Sequence, residues 1–189
     1  MNKTAVQAGA YLHHLAFESS NPARLATFYS NAMDMDVTQL SHSEWRCEGP
    51  GRRMIVVLGT DKQLAYAGFA CRDQAGLTAL RLRAQQEGFE ILDSPSPYFQ
   101  PDAFALCDPN GQTLCFGLAK LAQNHRAGLQ GPVQHLTFAA TNVESFVAFY
   151  QNRLGFLLTD RVLHDDGTLA TAFLTSNHEH HTLACFKSD

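Results

Sequence analysis

The sequence predicts an α+β fold assembled from three copies of one β-α-β-β-β unit. Three observations predict it. First, His14-Leu15-Ala16-Phe17 recurs as His135-Leu136-Thr137-Phe138, a shift of 121 residues. At the same shift Ser20 falls on Thr141, Asn21 on Asn142, Phe28 on Phe149, Tyr29 on Tyr150 and Asn31 on Asn152. Short identities at one constant offset mark a duplication. Second, each copy passes from an apolar run to helical spacing in the same order. Third, turn-forming residues divide the rest of each copy into short strands.

The elements follow in order. Tyr11 to Phe17 is a short apolar run suited to a buried strand. Asn21-Pro22 then opens a helix, since Asn is a good N-cap and Pro suits the first helical position. Leu25, Phe28, Tyr29 and Met33 form its expected buried stripe. Strands are expected at Val37 to Leu40, Trp45 to Glu48 and Met54 to Leu58, with a turn at Gly49-Pro50-Gly51.

The middle copy reads the same way. Leu64 to Cys71 is a strand, and Gly76 to Gly88 is a helix carrying Leu77, Leu80, Leu82 and Ala84. Ile91-Leu92, Phe104 to Cys107 and Thr113 to Leu118 are strands, the last two joined by Asp108-Pro109-Asn110-Gly111. Ser94 to Pro101 holds three prolines and reads as a loop. In the last copy Asn142 caps a helix whose stripe is Phe146, Phe149, Tyr150 and Leu154. Strands follow at Phe156 to Val162, Thr168 to Leu174 and Thr182 to Phe186, with Asp165-Asp166-Gly167 as a turn. The units span about residues 10–59, 62–119 and 132–187, and the polar stretch 120–131 reads as a linker.

Composition narrows the function. Apolar residues make up 45% of the 189-residue chain, enough for a packed core. The net charge of -4 without a basic run argues against nucleic acid as a partner. No apolar run is long enough to span a bilayer, and Met1 to Ala10 lacks the apolar core of a signal peptide. Five cysteines without a CxxC pair disfavour a disulfide framework or a cysteine-rich zinc site. They read as small buried residues in a reduced, cytoplasmic protein.

Paired βαβββ units resemble the vicinal-oxygen-chelate superfamily of glyoxalases, bleomycin-resistance proteins and dioxygenases. Within it, the chain resembles type I extradiol ring-cleaving dioxygenases over nearly its whole length. Leu64-Ala65-Tyr66-Ala67-Gly68-Phe69 resembles the opening strand of the second unit in biphenyl-diol dioxygenases. Asp108-Pro109-Asn110-Gly111 resembles the family's last hairpin turn. Asn177-His178-Glu179-His180-His181-Thr182-Leu183-Ala184, the most specific match, resembles the stretch bearing the active-site histidine.

The resemblance implies four units in two modules, of which only the second binds iron. The metal, Fe(II) or the Mn(II) that the same ligands accept, would be held by two His and one Glu. The first His falls on His135. The repeat shift carries the second, matching Tyr66, to about position 187. The later placement of the third unit's last strand moves it past the terminus, and the Glu matching Cys115 falls farther out. Residues 10–119 would then be a metal-free module and 132–189 the first half of a metal-binding one, inactive alone. In the first module His14 occupies the first ligand position, with Tyr66 and Cys115 at the other two.

By the same resemblance the substrates are a catechol-type aromatic diol and O2. His181 matches the acid–base histidine, a role suited to its near-neutral pKa. Phe173 and His180 are assigned to the pocket, although alternation along the expected strand turns His180 the other way. Each residue also has a plainer reading: His135 as a structural strand histidine, and His178 to His181 as a solvated hairpin. Two rivals stand beside the enzyme: a metal-free protein of this fold that binds a small aromatic, and an inactive gene product. A third unit without its mate would leave sheet surface uncovered, which a homo-oligomer could bury.

Overall fold

The computed structural model describes residues 4–121 and 131–188. Most of the expected linker, residues 122–130, lies outside the described residues. The chain divides into two compact units. One comprises His13–Gly68 and Lys120–Val133, the other Met1–Leu12, Phe69–Ala119 and Gln134–Asp189.

A short helix α1 (Thr4–Gln7), absent from the sequence reading, precedes the first repeat. The repeat itself runs β1 (Tyr11–Ser19), α2 (Pro22–Met33), β2 (Asp36–Ser41), β3 (Glu44–Gly49) and β4 (Arg52–Leu58). Asn21 caps α2 as expected, its side chain accepting from the Arg24 N–H at 3.1 Å. The core here is Ala26, Met35, Cys47, Met54 and Val56, with Leu25, Tyr29 and Met33 packed partly buried against it. Phe28 is the exception within the predicted stripe. It is 56% exposed, because Pro22 and Ala26 carry the fully buried line of the helix.

The second repeat runs β5 (Leu64–Ala70), α3 (Gln74–Gln86), β6 (Leu92–Asp93), β7 (Phe104–Cys107) and β8 (Thr113–Gly117). Asp73 caps α3 by accepting from the Gly76 N–H at 2.8 Å, so the helix starts earlier than the sequence reading placed it. Leu77, Leu80 and Ala84 are buried, but Leu82 is exposed. Two residues of helix rotate a side chain to the opposite face from Leu80. The turn after β7 is held by Asp108, whose carboxylate accepts from the Asn110 and Gln112 N–H groups at 2.8 and 2.9 Å.

The third repeat runs β9 (Leu136–Ala140), α4 (Val143–Ala148), a π-helical segment (Phe149–Leu154), β10 (Leu157–Leu163), β11 (Leu169–Thr175) and β12 (Leu183–Lys187). The expected single helix thus becomes a short α-helix that widens into π geometry. Widening still buries Phe146, Phe149, Tyr150 and Leu154. Tyr150 is wholly buried and its hydroxyl donates to the Asp108 carboxylate at 3.1 Å. That partner satisfies a polar group that would be costly to bury alone.

Topology repeats with the sequence. The first copy is ordered β2-β3-β4-β1 and the third β10-β11-β12-β9. In both, the first strand runs parallel to the last: Leu15 sits opposite Met54, and Leu136 opposite Leu183. In the middle copy β6, β7 and β8 pair in sequence. The end of β5 lies beside β8, where Cys71 N–H donates to the Gly117 carbonyl at 2.8 Å and Phe69 stacks on Phe116. No helix among the described residues is long and apolar enough to cross a membrane.

Candidate functional site

The His-rich loop between β11 and β12 is fixed at both ends. Ser176 and Thr182, both fully buried, bracket it, with their hydroxyl oxygens 3.2 Å apart. Ser176 donates to the Ala10 carbonyl at 2.6 Å, and Thr182 N–H donates to the Leu174 carbonyl at 2.9 Å. Leu136 N–H in turn donates to the Thr182 carbonyl at 3.0 Å, which sets His135 beside the end of this loop. In the sequence Ser176 carries no assigned role, and Thr182 stands only at the start of an expected strand and in the family-like stretch. Their one shared signal is that they are hydroxyl residues flanking the His-rich stretch.

This framework brings the sequence-predicted residues together. The His135 and His181 rings lie 4.6 Å apart between centroids. Phe173, on β11, lies 5.0 Å from the His181 ring and 6.2 Å from that of His180. The two adjacent imidazoles stand nearly perpendicular, and their Nδ1 atoms are 3.0 Å apart. One of the pair therefore donates and the other accepts.

The strand placement differs from expectation. β12 begins at Leu183, so His180 and His181 sit in the preceding bend rather than on the strand. Strict alternation does not apply there, and both rings approach Phe173. His181 is partly buried and His180 exposed. Burial holds the His181 pKa below its ordinary value, and the neighbouring His135 and His180 push the same way.

The first repeat treats its matching histidine differently. His14 is wholly buried, with its ring edge against Tyr66 at 5.6 Å. Its Nδ1 lies 2.9 Å from that of His13. Burial first, then His13 and Arg53, hold the His14 pKa well below its ordinary value. Cys115, at the third position, is also buried, and its thiol is pushed up to about 12 by desolvation. Cys47, Cys71 and Cys185 are buried as well, while Cys107 is exposed. Among the described residues no group of three His, Cys, Asp or Glu side chains is placed to hold a metal. A facial triad needs two imidazoles and one carboxylate, so the described residues do not by themselves fit the implied iron.

Residues 133–189 match the family model of the Glyoxalase/Bleomycin resistance protein/Dioxygenase superfamily. The chain is 24% identical over 194 aligned residues to a biphenyl-2,3-diol 1,2-dioxygenase of Paraburkholderia xenovorans (strain LB400), covering 92% of this chain and 65% of the relative. It is also 24% identical to the enzyme of that name from Metapseudomonas furukawaii, covering 92% of this chain and 64% of the relative. The chain thus spans slightly less than two thirds of the length of the curated relatives it matches. Among solved structures, homoprotocatechuate 2,3-dioxygenase from Brevibacterium fuscum aligns with a TM-score of 0.78 and 17% identity, over 96% of this chain and 62% of that one. A halotolerant catechol dioxygenase aligns with a TM-score of 0.77 and 18% identity, over 94% of this chain and 64% of that one. These similarities and the strand topology give the chain the fold of the dioxygenases it resembles.

Proposed function

We propose that this chain carries part of the active site of an extradiol dioxygenase that opens a catechol-type aromatic diol with O2. In this reading residues 10–119 form a metal-free module, and 132–189 supply half of a metal-binding one. His135 contributes one ligand to Fe(II), or to Mn(II), and the other two ligands come from outside the described residues. His181 moves a proton at its imidazole, and Phe173 and His180 wall the pocket.

One observation supports this above the rest: the imidazoles of His135 and His181 converge within 4.6 Å beside an aromatic wall. His181 keeps part of its surface open, as a group that exchanges protons with a bound diol must. Its lowered pKa favours the neutral base at physiological pH. The chain alone is inactive in this reading. Apolar side chains at Val162 and Leu163 on β10, each about half exposed, suit burial in a homo-oligomer of a cytoplasmic protein.

The test supplies the missing ligands. The chain is extended with a fourth βαβββ unit bearing one His and one Glu, and Fe(II) binding and 2,3-dihydroxybiphenyl cleavage are measured without air and then with it. The expected result is stoichiometric Fe(II) and ring-opened product in the extended chain, neither in the chain alone, and loss of metal in His135→Ala. An extended, folded chain that binds no Fe(II) refutes the proposal.

A further inference from the structure

A cavity of about 410 Å³ is lined by Val6, Gly9, Tyr11, Arg72, Asn177 and His178. It shares the β11–β12 loop with the histidine cluster, but none of His135, Phe173, His180 or His181 lines it.

Arg72, an exposed residue, is its one cation. The Arg72 backbone N–H donates to the Ala8 carbonyl at 2.9 Å. Its guanidinium lies across Gly9, where a Cβ would come within 2.9 Å of Nη2 and 3.0 Å of Nε. Gly9 also ends α1 with a φ of +58°, in the left-handed region that side chains disfavour. One glycine thus turns the chain and makes room for the guanidinium. The adjoining Asp73 does not neutralise it, being engaged as the cap of α3. Among the described residues the guanidinium has no ion pair and no hydrogen-bond acceptor.

Asn177 offers a donor. Asn177 Oδ1 accepts from the Glu179 N–H at 2.9 Å and lies 3.3 Å from Thr175 Oγ1. Its oxygen is therefore engaged and its amide nitrogen is left to donate. No acidic side chain lines the cavity; Glu179, whose carboxylate lies 3.6 Å from His178 Nε2, is not among the lining residues. Val6 and the Tyr11 ring complete an apolar side.

We propose that this cavity binds a small aromatic carboxylate. The Arg72 fork matches a carboxylate bidentately, the Asn177 amide adds one donor, and Val6 and Tyr11 flank the ring. A single lining cation without lysine or a second arginine suits one negative charge better than a phosphate dianion. This site is independent of the metal-site proposal above, since it uses neither His135 nor His181.

The experiment is a calorimetric titration of the full chain with sodium benzoate, with benzyl alcohol and inorganic phosphate as comparison probes. Benzoate is expected to saturate at millimolar or lower concentration, with benzyl alcohol and phosphate at least about tenfold weaker, the scale of a lost charge-assisted bond. Arg72→Gln is expected to weaken benzoate at least about tenfold while leaving the melting temperature unchanged. Asn177→Asp, which keeps the loop contacts but adds a negative charge, is expected to do the same. No saturable benzoate binding, equal binding of benzyl alcohol or phosphate, or unchanged binding in folded Arg72→Gln would each overturn the assignment.

Discussion

Replacing Gly68 with alanine tests whether the first repeat has turned its ligand-position histidine into core. The added Cβ would lie 2.0 Å from His14 Cε1 and 2.5 Å from both ring nitrogens. Carbon atoms pack best at about 3.5–4.0 Å, so one of the two groups must move. The ring has little room. It is wholly buried, 5.6 Å from the Tyr66 ring, and its Nδ1 sits 2.9 Å from His13. Overpacking of this kind costs about 1–3 kcal/mol, and a fixed neighbour places the cost near the top of that range. For a chain of this length the melting temperature should fall by about 6–12 °C. Urea unfolding gives the free energy directly. The paired variant Gly68→Ala/His14→Ala should be more stable than the sum of the single effects by at least about 1 kcal/mol, because the new methyl enters the space the ring leaves. A Gly68→Ala chain within about 0.5 kcal/mol of the parent, or strictly additive single effects, would refute the packing argument.

Two further outcomes follow from buried polar groups. Burial first, and then Arg53, hold the His13 pKa down to about 4 from 6.5. The unfolded chain therefore binds the proton first, so stability is full above pH 6.5 and declines as the pH falls toward 4. The loss from His13 is at most about 3 kcal/mol, and His14 acts in the same direction. Urea unfolding at pH 7, 6 and 5 should show this decline, with a shallower one in His13→Gln; a flat profile would contradict it. Ser176→Ala removes the donor to the buried Ala10 carbonyl. It should cost about 1–3 kcal/mol and speed hydrogen exchange at the Thr182 amide, and unchanged exchange would separate the loop from this anchor.

Much of the fold was legible because the duplication made each copy a check on the other. Asn21 and Asn142 both cap helices, their side chains accepting at 3.1 and 2.7 Å. Shared strand order around β4-β1 and β12-β9 follows the same logic. What was not legible depended on rotation and geometry that residue types do not encode. Phe28 and Leu82 are apolar, yet both face solvent because other residues carry the buried lines of their helices, Pro22 and Ala26 in α2 and Leu77, Leu80 and Ala84 in α3. Nothing in Phe146 to Leu154 distinguishes a π-helical turn from an α-helical one, since both bury the same rings. His181 falls outside the last strand for a related reason. Ser176 and Thr182 close a loop by side-chain bonding, and the ladder resumes only at Leu183.

The candidate site shows how one position acquires two fates after duplication. His14 and His135 occupy the same place in the repeat, each next to a leucine that pairs with the last strand of its unit. Around His14, Gly68 leaves a space that the ring fills, Tyr66 covers its edge, and desolvation keeps it neutral. An imidazole enclosed in this way stabilises by packing and cannot present a nitrogen to a metal and a diol together. His135 precedes its strand, stays exposed, and faces a second imidazole instead of a tyrosine. Ligation costs an exposed ring far less desolvation than it would cost a buried one. The same residue type in the same repeat position is thus core in one copy and an exposed imidazole, the proposed ligand, in the other, and the difference lies in what surrounds it.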